Sequence, residues 1–393
     1  MVSPASAPLI LVVDGWLANA GDAAINLATS LSLQEAIPGA RVVFASHHRS
    51  LVGDRYPELD LAPPIDALAD VSWPWTTAAD LAERDAIDRL VEEADLVLAP
   101  GGGYLLERYQ PEGRIRGYEY LLERGKRLAF FSQSIGRFED PDLCARLGSV
   151  LAAAELVLVR DEASQEAVRE MGRTEGLHLT ADEAFLLPVE RRVGRPHSLL
   201  IAASVHPWER NGSEDELRDD SHLAEIAASL TRLLSSGQVR TVTLASSTQG
   251  LGGAGQELED DVLAASLLRT AVPAHWRNRI EIREGYLTAG EYAELAASHT
   301  AVISMRMHGA ILAAVAHTPV LLANASDKAL SLSRRSEGRI ATISDRADLS
   351  RLDALIAPAL EDPKEARLRQ NAGVEQMRTL ARANAELVGE RLR

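Results

Sequence analysis

The segment SMRMHGAILAAVAHTP, residues 304–319, sets Arg306 and His308 two positions apart between a β-like apolar run and a helical apolar run. An arginine grips a carboxylate or phosphate with a fixed fork of N–H donors, and an imidazole exchanges protons near neutral pH. Shortly downstream, NASDK (324–328) supplies Asp327 and Lys328. Arg306, His308 and Lys328, backed by the open N–H groups of helix N-termini, can build a cationic pocket for a ligand carrying a carboxylate and a phosphate. The ordinary alternative for an Arg-x-His pair is a solvated or structurally hydrogen-bonded one. Such a pocket would be local, because the chain holds 57 acidic against 41 basic residues, a formal net charge of -16. That balance lacks the extended basic surface by which nucleic-acid and anionic-membrane binders displace counterions.

Positioning these residues falls to a regular alternation of strands and helices. Short β-rich apolar runs start at residues 8 (PLILVV), 41 (RVVFA), 95 (DLVLAP), 127 (RLAFFS) and 155 (ELVLVR), with helically spaced stretches such as 81–93 and 163–171 between them. After LLPVERRVGRPHS (186–198) the series restarts, with runs from 199, 241, 279, 300 and 319. Apolar strands separated by helices predict α/β architecture with mostly parallel, doubly wound sheets. At 393 residues the chain is long for one core. Two Rossmann-like domains, 1–190 and 191–393, facing one another across a cleft are expected, with a polar helix over 363–393 able to return to the first.

In parallel sheets ligands sit beyond the carboxyl ends of the strands. Asn19, Gly21 and Asp22 fall there after the first strand, Gly101, Gly102 and Gly103 after the strand at 95–99, then Gln133 and Ser134, then Arg160 and Asp161. In the second half Thr288 and Glu291 have capping-box spacing. Several of these have plainer uses. A triple glycine commonly serves a tight turn and close helix packing, Asp22 would complement a helix N-terminus, and Arg160 with Asp161 suits a local ion pair as well as a ligand. The WPW at 73–75 reads better as a packed loop than as a sugar platform.

Other classes are disfavoured. Cys144 is the only cysteine, so no internal disulfide can form, and its thiol reads as inert filling. No G-x-G-x-x-G follows the first strand, which argues against a Rossmann dehydrogenase, and no cluster has metal-ligand spacing. The N-terminal stretch has no basic region before its short apolar run, and no run elsewhere nears the ~20 apolar residues of a membrane span. A cytoplasmic protein is expected.

The succession GWLANAGD, PGGGY, SQSIG, VRDEAS, TADEAFLL, SMRMHGAILAAVAHTP and SDK, from about residue 12 to residue 328, resembles the polysaccharide pyruvyl transferase family. The resemblance implies a two-domain, GT-B-like fold. It also implies transfer of a pyruvyl group from phosphoenolpyruvate onto two hydroxyls of a sugar in a glycan or glycoconjugate, giving a ketal and phosphate. The family's donor-binding Arg-x-His matches Arg306 and His308, its downstream lysine matches Lys328, and its Asn-x-Gly-Asp turn matches Asn19, Gly21 and Asp22. Ser132 and Arg137 stand where the family commonly has Gly and Pro around the Gln-Ser-Ile-Gly segment.

Ketal formation then assigns general acid and base work to His308, the donor's anionic groups to Arg306, and the departing phosphate to Lys328. Asp22 would orient or deprotonate the acceptor hydroxyl. Arg160, Asn19, Gly21, Gly102, Gly103, Gln133 and Ser134 complete the expected substrate contacts. Neither a metal nor a cofactor is called for, phosphoenolpyruvate being a substrate. The partner is a sugar or glycan acceptor; a lipid-linked one would bring the protein to the inner face of the membrane. Segments 206–222, with Trp208 and Arg210, and 247–257 are the places to look for acceptor recognition, although a disordered loop is the plainer expectation for each. Two other classes fit the same residues: a GT-B glycosyltransferase using a nucleotide sugar, and a non-catalytic ligand-binding relative.

Overall fold

The computed structural model describes residues 7–65, 78–192, 194–204, 221–248, 260–324, 326–343 and 345–393. The tryptophans of WPW and most of segments 206–222 and 247–257 lie outside the described residues. The chain forms two compact units: unit 1 holds Met1–Leu17, Asp22–Leu186 and Arg378–Arg393, and unit 2 holds Ala18–Gly21 and Leu187–Met377.

Unit 1 is built on β1 (Leu9–Val12), β2 (Arg41–Ala45), β3 (Asp60–Ala62), β4 (Leu96–Ala99), β5 (Gly102–Leu105), β6 (Leu128–Ile135), β7 (Leu156–Val159) and β8 (Leu177–Leu179). They pair in the order β3-β2-β1-β4-β6-β7-β8, with β5 adding to β6, and every pairing is parallel. The central runs LILV and LVLA are buried along their whole length, as strands covered by helices on both faces must be. Leu11, Val43, Val97, Phe130 and Val157 form the core with Leu143, Leu147 and Val150 of the helix Pro141–Ala153. That helix starts where the Asp140 carboxylate accepts the N–H groups of Asp142 (2.9 Å) and Leu143 (3.3 Å), with Pro141 in the first position.

Two features differ from the sequence-based expectation. Gln133 and Ser134 do not follow their strand; β6 runs on to Ile135 and buries both. The cause is Ser132, held at φ 54°, where the pairing with β7 shifts register and a bulge carries the strand onward. Gly102 and Gly103 do not form a tight turn either. The chain stays extended after β4 and pairs with the far half of β6, Gly102 opposite Gln133 and Leu105 opposite Ile135.

Unit 2 carries β9 (Ser198–Ala202), β10 (Thr241–Ala245), β11 (Ile280–Arg283), β12 (Ala301–Ser304), β13 (Val320–Leu322) and β14 (Ala341–Thr342). Their order, β11-β10-β9-β12-β13-β14, is the Rossmann arrangement 3-2-1-4-5-6, again all parallel. Leu199, Ile201 and Ile303 meet Leu230 and Leu268 in its core. The capping box forms as read: Glu291 N–H donates to Thr288 Oγ1 (3.2 Å) and Thr288 N–H to Glu291 Oε2 (2.8 Å), starting the helix Ala289–Ala297. The long helix Pro363–Leu392 begins in unit 2, where Gln370 accepts from Val320 N–H (2.9 Å) and donates to Thr318 O (2.8 Å). From Arg378 on it belongs to unit 1. Among the described residues no helix is long and apolar enough to cross a membrane.

Candidate active site

In an open parallel sheet the ligand crevice lies where the strand order reverses, which is between β9 and β12 in unit 2 and between β1 and β4 in unit 1. At the first of these, β12 ends in a tight turn. Ser304 Oγ donates to Arg306 O (2.7 Å), while Met305 N–H still bonds Ala202 O (2.9 Å) across to β9. Arg306 is the N-cap of the helix Met307–Val315, so His308 occupies that helix's second position. The helix can lie this close because residue 309 is glycine: a Cβ there would stand 2.5 Å from Ser304 Oγ and 2.9 Å from the Tyr292 hydroxyl.

Lys328 is placed by a parallel device. β13 lies beside β12, and Lys328 is second in the helix Asp327–Arg335 that follows. Asn324 ties the two strand ends together, donating from Nδ2 to Met305 O (2.9 Å) and accepting Ser326 N–H (2.8 Å). Arg306, His308 and Lys328 thus share one edge of one sheet, as the sequence pattern implied.

Arg306 is not alone there. Its Nε (3.1 Å) and Nη2 (2.8 Å) both donate to Oδ1 of Asp261, whose side chain is fully buried while that of Arg306 is 25% exposed. Ser204 and the Thr248 N–H also hydrogen-bond this carboxyl. Burial pushes the Asp261 carboxyl above the usual carboxylate range, and the Arg306 guanidinium pulls it part of the way back. Nothing in the sequence pattern pointed to Asp261. It precedes Arg306 by 45 positions, and only the order β10-β9-β12 brings the start of its helix, Asp260–Ala271, to the arginine.

His308 has an equally specific seat. The segment Ala18–Gly21 packs in unit 2: Ala20 N–H donates to Ser247 O (3.0 Å), and Asn19 forms an antiparallel bridge with Thr248. Asn19 Oδ1 accepts Gly21 N–H (2.8 Å), fixing the first turn of the helix Ala20–Ala36. A Cβ on Gly21 would overlap the Cβ, Cγ and Nδ1 of His308. Glycine is required here by contact, since the backbone lies directly on the imidazole. Asn19 and Gly21, expected on the N-terminal side, therefore belong by packing with His308, whereas Asp22 belongs to unit 1.

Unit 1 gathers a second polar set at its own crevice. Asp14, just past β1, adopts φ 57°, an uncommon conformation for a residue with a side chain. Its carboxylate faces Arg114 Nε and the Tyr118 hydroxyl, each at 3.4 Å. The Arg114 guanidinium lies 5.1 Å from the centre of the Tyr104 ring, a cation–π distance. Tyr104 is hydrogen-bonded to Asp22; burial first, then the Asp22 charge, push its phenol well up. Asp22 itself is only 8% exposed. Asp14, Tyr104 and Arg114 were not singled out in the sequence, although VVDGW, PGGGY and the start of the helix Glu112–Glu123 carry them.

The remaining expected residues are built into the interior of unit 1. Arg160 pairs with Asp182 (2.5 Å), not with its neighbour Asp161, and both partners are buried; its Nε donates to Ser134 Oγ (2.8 Å). Ser134 donates to Asp161 Oδ2 (2.6 Å), and Asp161 Oδ1 caps the helix Glu162–Glu170 through Ser164 N–H (2.8 Å). Gln133 donates to Pro100 O. Gly102, at φ 143°, leaves room for the Tyr104 ring, so its glycine has a packing reason and any contact with substrate is secondary to it. Ser132 holds a left-handed conformation that suits the family's glycine, and its Oγ donates to Ala181 O (2.9 Å). Arg137 is exposed and pairs with Glu170 (2.6 Å) and Glu166 (3.1 Å). Among the described residues no group of three or more His, Cys, Asp and Glu side chains could hold a metal ion.

Two parallel-sheet α/β units of this kind are the architecture of GT-B glycosyltransferases and the related epimerases. A glycosyltransferase from Rickettsia africae covers 98% of this chain and 98% of its own at TM-score 0.59 and 11% identity. UDP-GlcNAc 2-epimerase from Neisseria meningitidis, solved bound to UDP-GlcNAc, covers 98% and 99% at TM-score 0.58 and 12% identity. A putative UDP-N-acetylglucosamine 2-epimerase from Listeria monocytogenes covers 98% and 94% at TM-score 0.58 and 13% identity. Likeness at these identities fixes the fold alone. No curated protein matches the sequence. The family is fixed by sequence: residues 19–325 match the profile of the polysaccharide pyruvyl transferases. The chain belongs to that family and is a glycan-modifying transferase.

Proposed function

We propose that the protein moves the pyruvyl group of phosphoenolpyruvate onto two hydroxyls of one sugar residue, forming a cyclic ketal and releasing inorganic phosphate. The observation that carries this reading is the pairing of a protein-held guanidinium with an imidazole seated on backbone, Arg306 on Asp261 and His308 on Gly21, at one sheet edge inside the matched segment. A donor with a carboxylate and a phosphate needs cations, and a reaction that protonates carbon needs a fixed acid.

In this scheme Arg306 takes the donor's carboxylate and Lys328 offsets charge on the phosphate. His308 gives a proton to the methylene carbon, which becomes the methyl group and leaves an oxocarbenium-like centre at the carbon bearing phosphate. The first sugar hydroxyl adds there and returns a proton to His308. The carbon–oxygen bond to phosphate then breaks, the second hydroxyl closes the ring, and its proton ends on the phosphate. Asp22, steadied by Tyr104, orients an acceptor hydroxyl. The reaction runs in the cytoplasm, or at the inner face of the membrane when the acceptor is lipid-linked.

The nucleotide-sugar alternative draws support from the UDP-GlcNAc-bound fold neighbour. A thermal titration with phosphoenolpyruvate beside UDP-sugars separates the two, because a ligand at 100 times its Kd adds about 2.7 kcal/mol of stability. Protection by phosphoenolpyruvate, lost in Arg306→Ala, supports pyruvyl transfer, and acceptor-dependent phosphate release completes the case. Protection by UDP-sugars alone would replace it with glycosyl transfer.

A further inference from the structure

Asp261 lies near the start of the helix Asp260–Ala271, and its carboxyl collects groups from three adjacent strand ends. Ser204 follows β9, Thr248 follows β10 and Arg306 follows β12. Through Thr248, which bridges Asn19, it also reaches the turn whose Gly21 seats His308. Both bonds from Arg306 fall on its Oδ1, so a fully buried carboxylate is kept here against a single arginine that is itself 25% exposed. Such a group is costly to bury unless it is paired and hydrogen-bonded, and this one holds its partner in place.

What it holds is orientation. Both Nε and Nη2 of Arg306 converge on the single oxygen Oδ1, which fixes the plane of the guanidinium. A solvated arginine must surrender rotamer freedom when it grips an anion; one already held has surrendered it on folding. The same carboxylate also subtracts positive charge from an anion site. Preorganisation and charge therefore predict opposite outcomes when the carboxylate is removed.

We infer that Asp261 is a positioning residue of the donor site, acting through Arg306 and linking it to the Asn19–Gly21 turn. The role rests on the pyruvyl-transfer reading only for the identity of the anion. A double-mutant cycle tests it, with Kd for phosphoenolpyruvate and, in parallel, for UDP measured by calorimetry on wild type, Asp261→Asn, Arg306→Ala and the double variant. Asp261→Asn should weaken binding at least ~10-fold, a loss of about 1.4 kcal/mol, while Arg306→Ala and the double variant bind alike. Ser204→Ala, which removes a hydrogen bond to the carboxyl and leaves its charge, should weaken binding a few-fold in wild type and not at all in Arg306→Ala. This second variant decides the matter if Asp261→Asn does not fold. Binding by Asp261→Asn as tight as wild type or tighter, or an undiminished loss in the Arg306→Ala background, overturns the inference. If wild type binds UDP and not phosphoenolpyruvate, pyruvyl transfer falls, and the cycle run on UDP still decides the role of Asp261.

Discussion

Each unit holds an Arg–Asp pair at a strand end, with the arginine just beyond the carboxyl end of a parallel strand: the switch-point strand in unit 2 and a strand nearer the sheet edge in unit 1. Arg160 follows β7 and pairs with Asp182, their side chains 4% and 5% exposed; Arg306 follows β12 and pairs with Asp261, at 25% and 0%. The first pair is sealed and adds Ser134 to its partners, so it serves the fold of unit 1. The second is sealed on the acid side only, and its cation reaches the edge where His308 and Lys328 stand. Position along a strand brings an arginine to the ligand edge, but exposure decides whether the ligand can use it.

The largest effect is expected at the imidazole of His308. His308→Ala should lower kcat for phosphate release ~10²–10⁴-fold, the ordinary range for a lost general acid, with the melting temperature little changed. A variant that keeps its rate would remove unit 2 as the seat of the chemistry.

Arg160→Ala tests the other pair and should act on a different quantity. It strands the Asp182 carboxylate in the interior, which costs about 3–5 kcal/mol of stability and lowers the melting temperature by roughly 10 °C for a unit of this size. Phosphoenolpyruvate affinity of the molecules that remain folded should hold. If affinity falls while stability holds, Arg160 belongs with the substrate contacts and the contrast between the pairs collapses.

Gly21→Ala sharpens the contrast within unit 2. The added methyl must displace His308, so on the proposed reaction kcat should fall on the order of 10²-fold through misplacement of the imidazole, while Kd for phosphoenolpyruvate, which that reading assigns to Arg306, should change far less. Steady-state kinetics beside calorimetry reads both. Equal losses in kcat and affinity would mean that the turn supports the whole edge and not the imidazole in particular.

All ten long apolar runs became strands; in nine of them near-complete burial on both faces leaves an unambiguous pattern, and β11, exposed at Glu281 and Arg283, follows from alternation. The pieces missed were β3, β8 and β14, of two or three residues each, too short for any period to register, and β5, whose glycines look like a turn until β6 offers them an edge. At the candidate site, the common sheet edge of Arg306, His308 and Lys328 was legible because helix and strand boundaries alone place them. Asp261, Asp14, Tyr104 and Arg114 were not, since each meets its partner through strand order or a helix start that no local spacing encodes. The same blindness made Arg160 look like a ligand contact: a sealed pair and an open one have identical sequence signatures.

Another buried acid of unit 1 extends the contrast, with a smaller effect read through pH. Glu183 is fully buried, accepting from Ser32 Oγ and from Asn384 Nδ2 (2.7 Å). Burial raises its pKa from 4.5 to about 8, against the pull of those two hydrogen bonds and with the help of Asp182. The folded state therefore binds this proton more tightly than the unfolded chain. Its contribution to stability is complete below about 4.5 and is lost as pH rises through about 8, with a slope near 1.4 kcal/mol per pH unit between. His48, buried against Trp16, works in the opposite sense: burial, then His47, lowers it to about 4, so its contribution is lost as pH falls below 6.5. Between pH 6.5 and 8 only Glu183 of the two is titrating, so wild type should lose roughly 2 kcal/mol across that window and Glu183→Gln should not. Urea unfolding of both proteins at the two pH values measures the difference. Phosphoenolpyruvate affinity should respond to pH identically in the two proteins, because this acid, like Arg160, serves the interior of unit 1 and not the edge of unit 2.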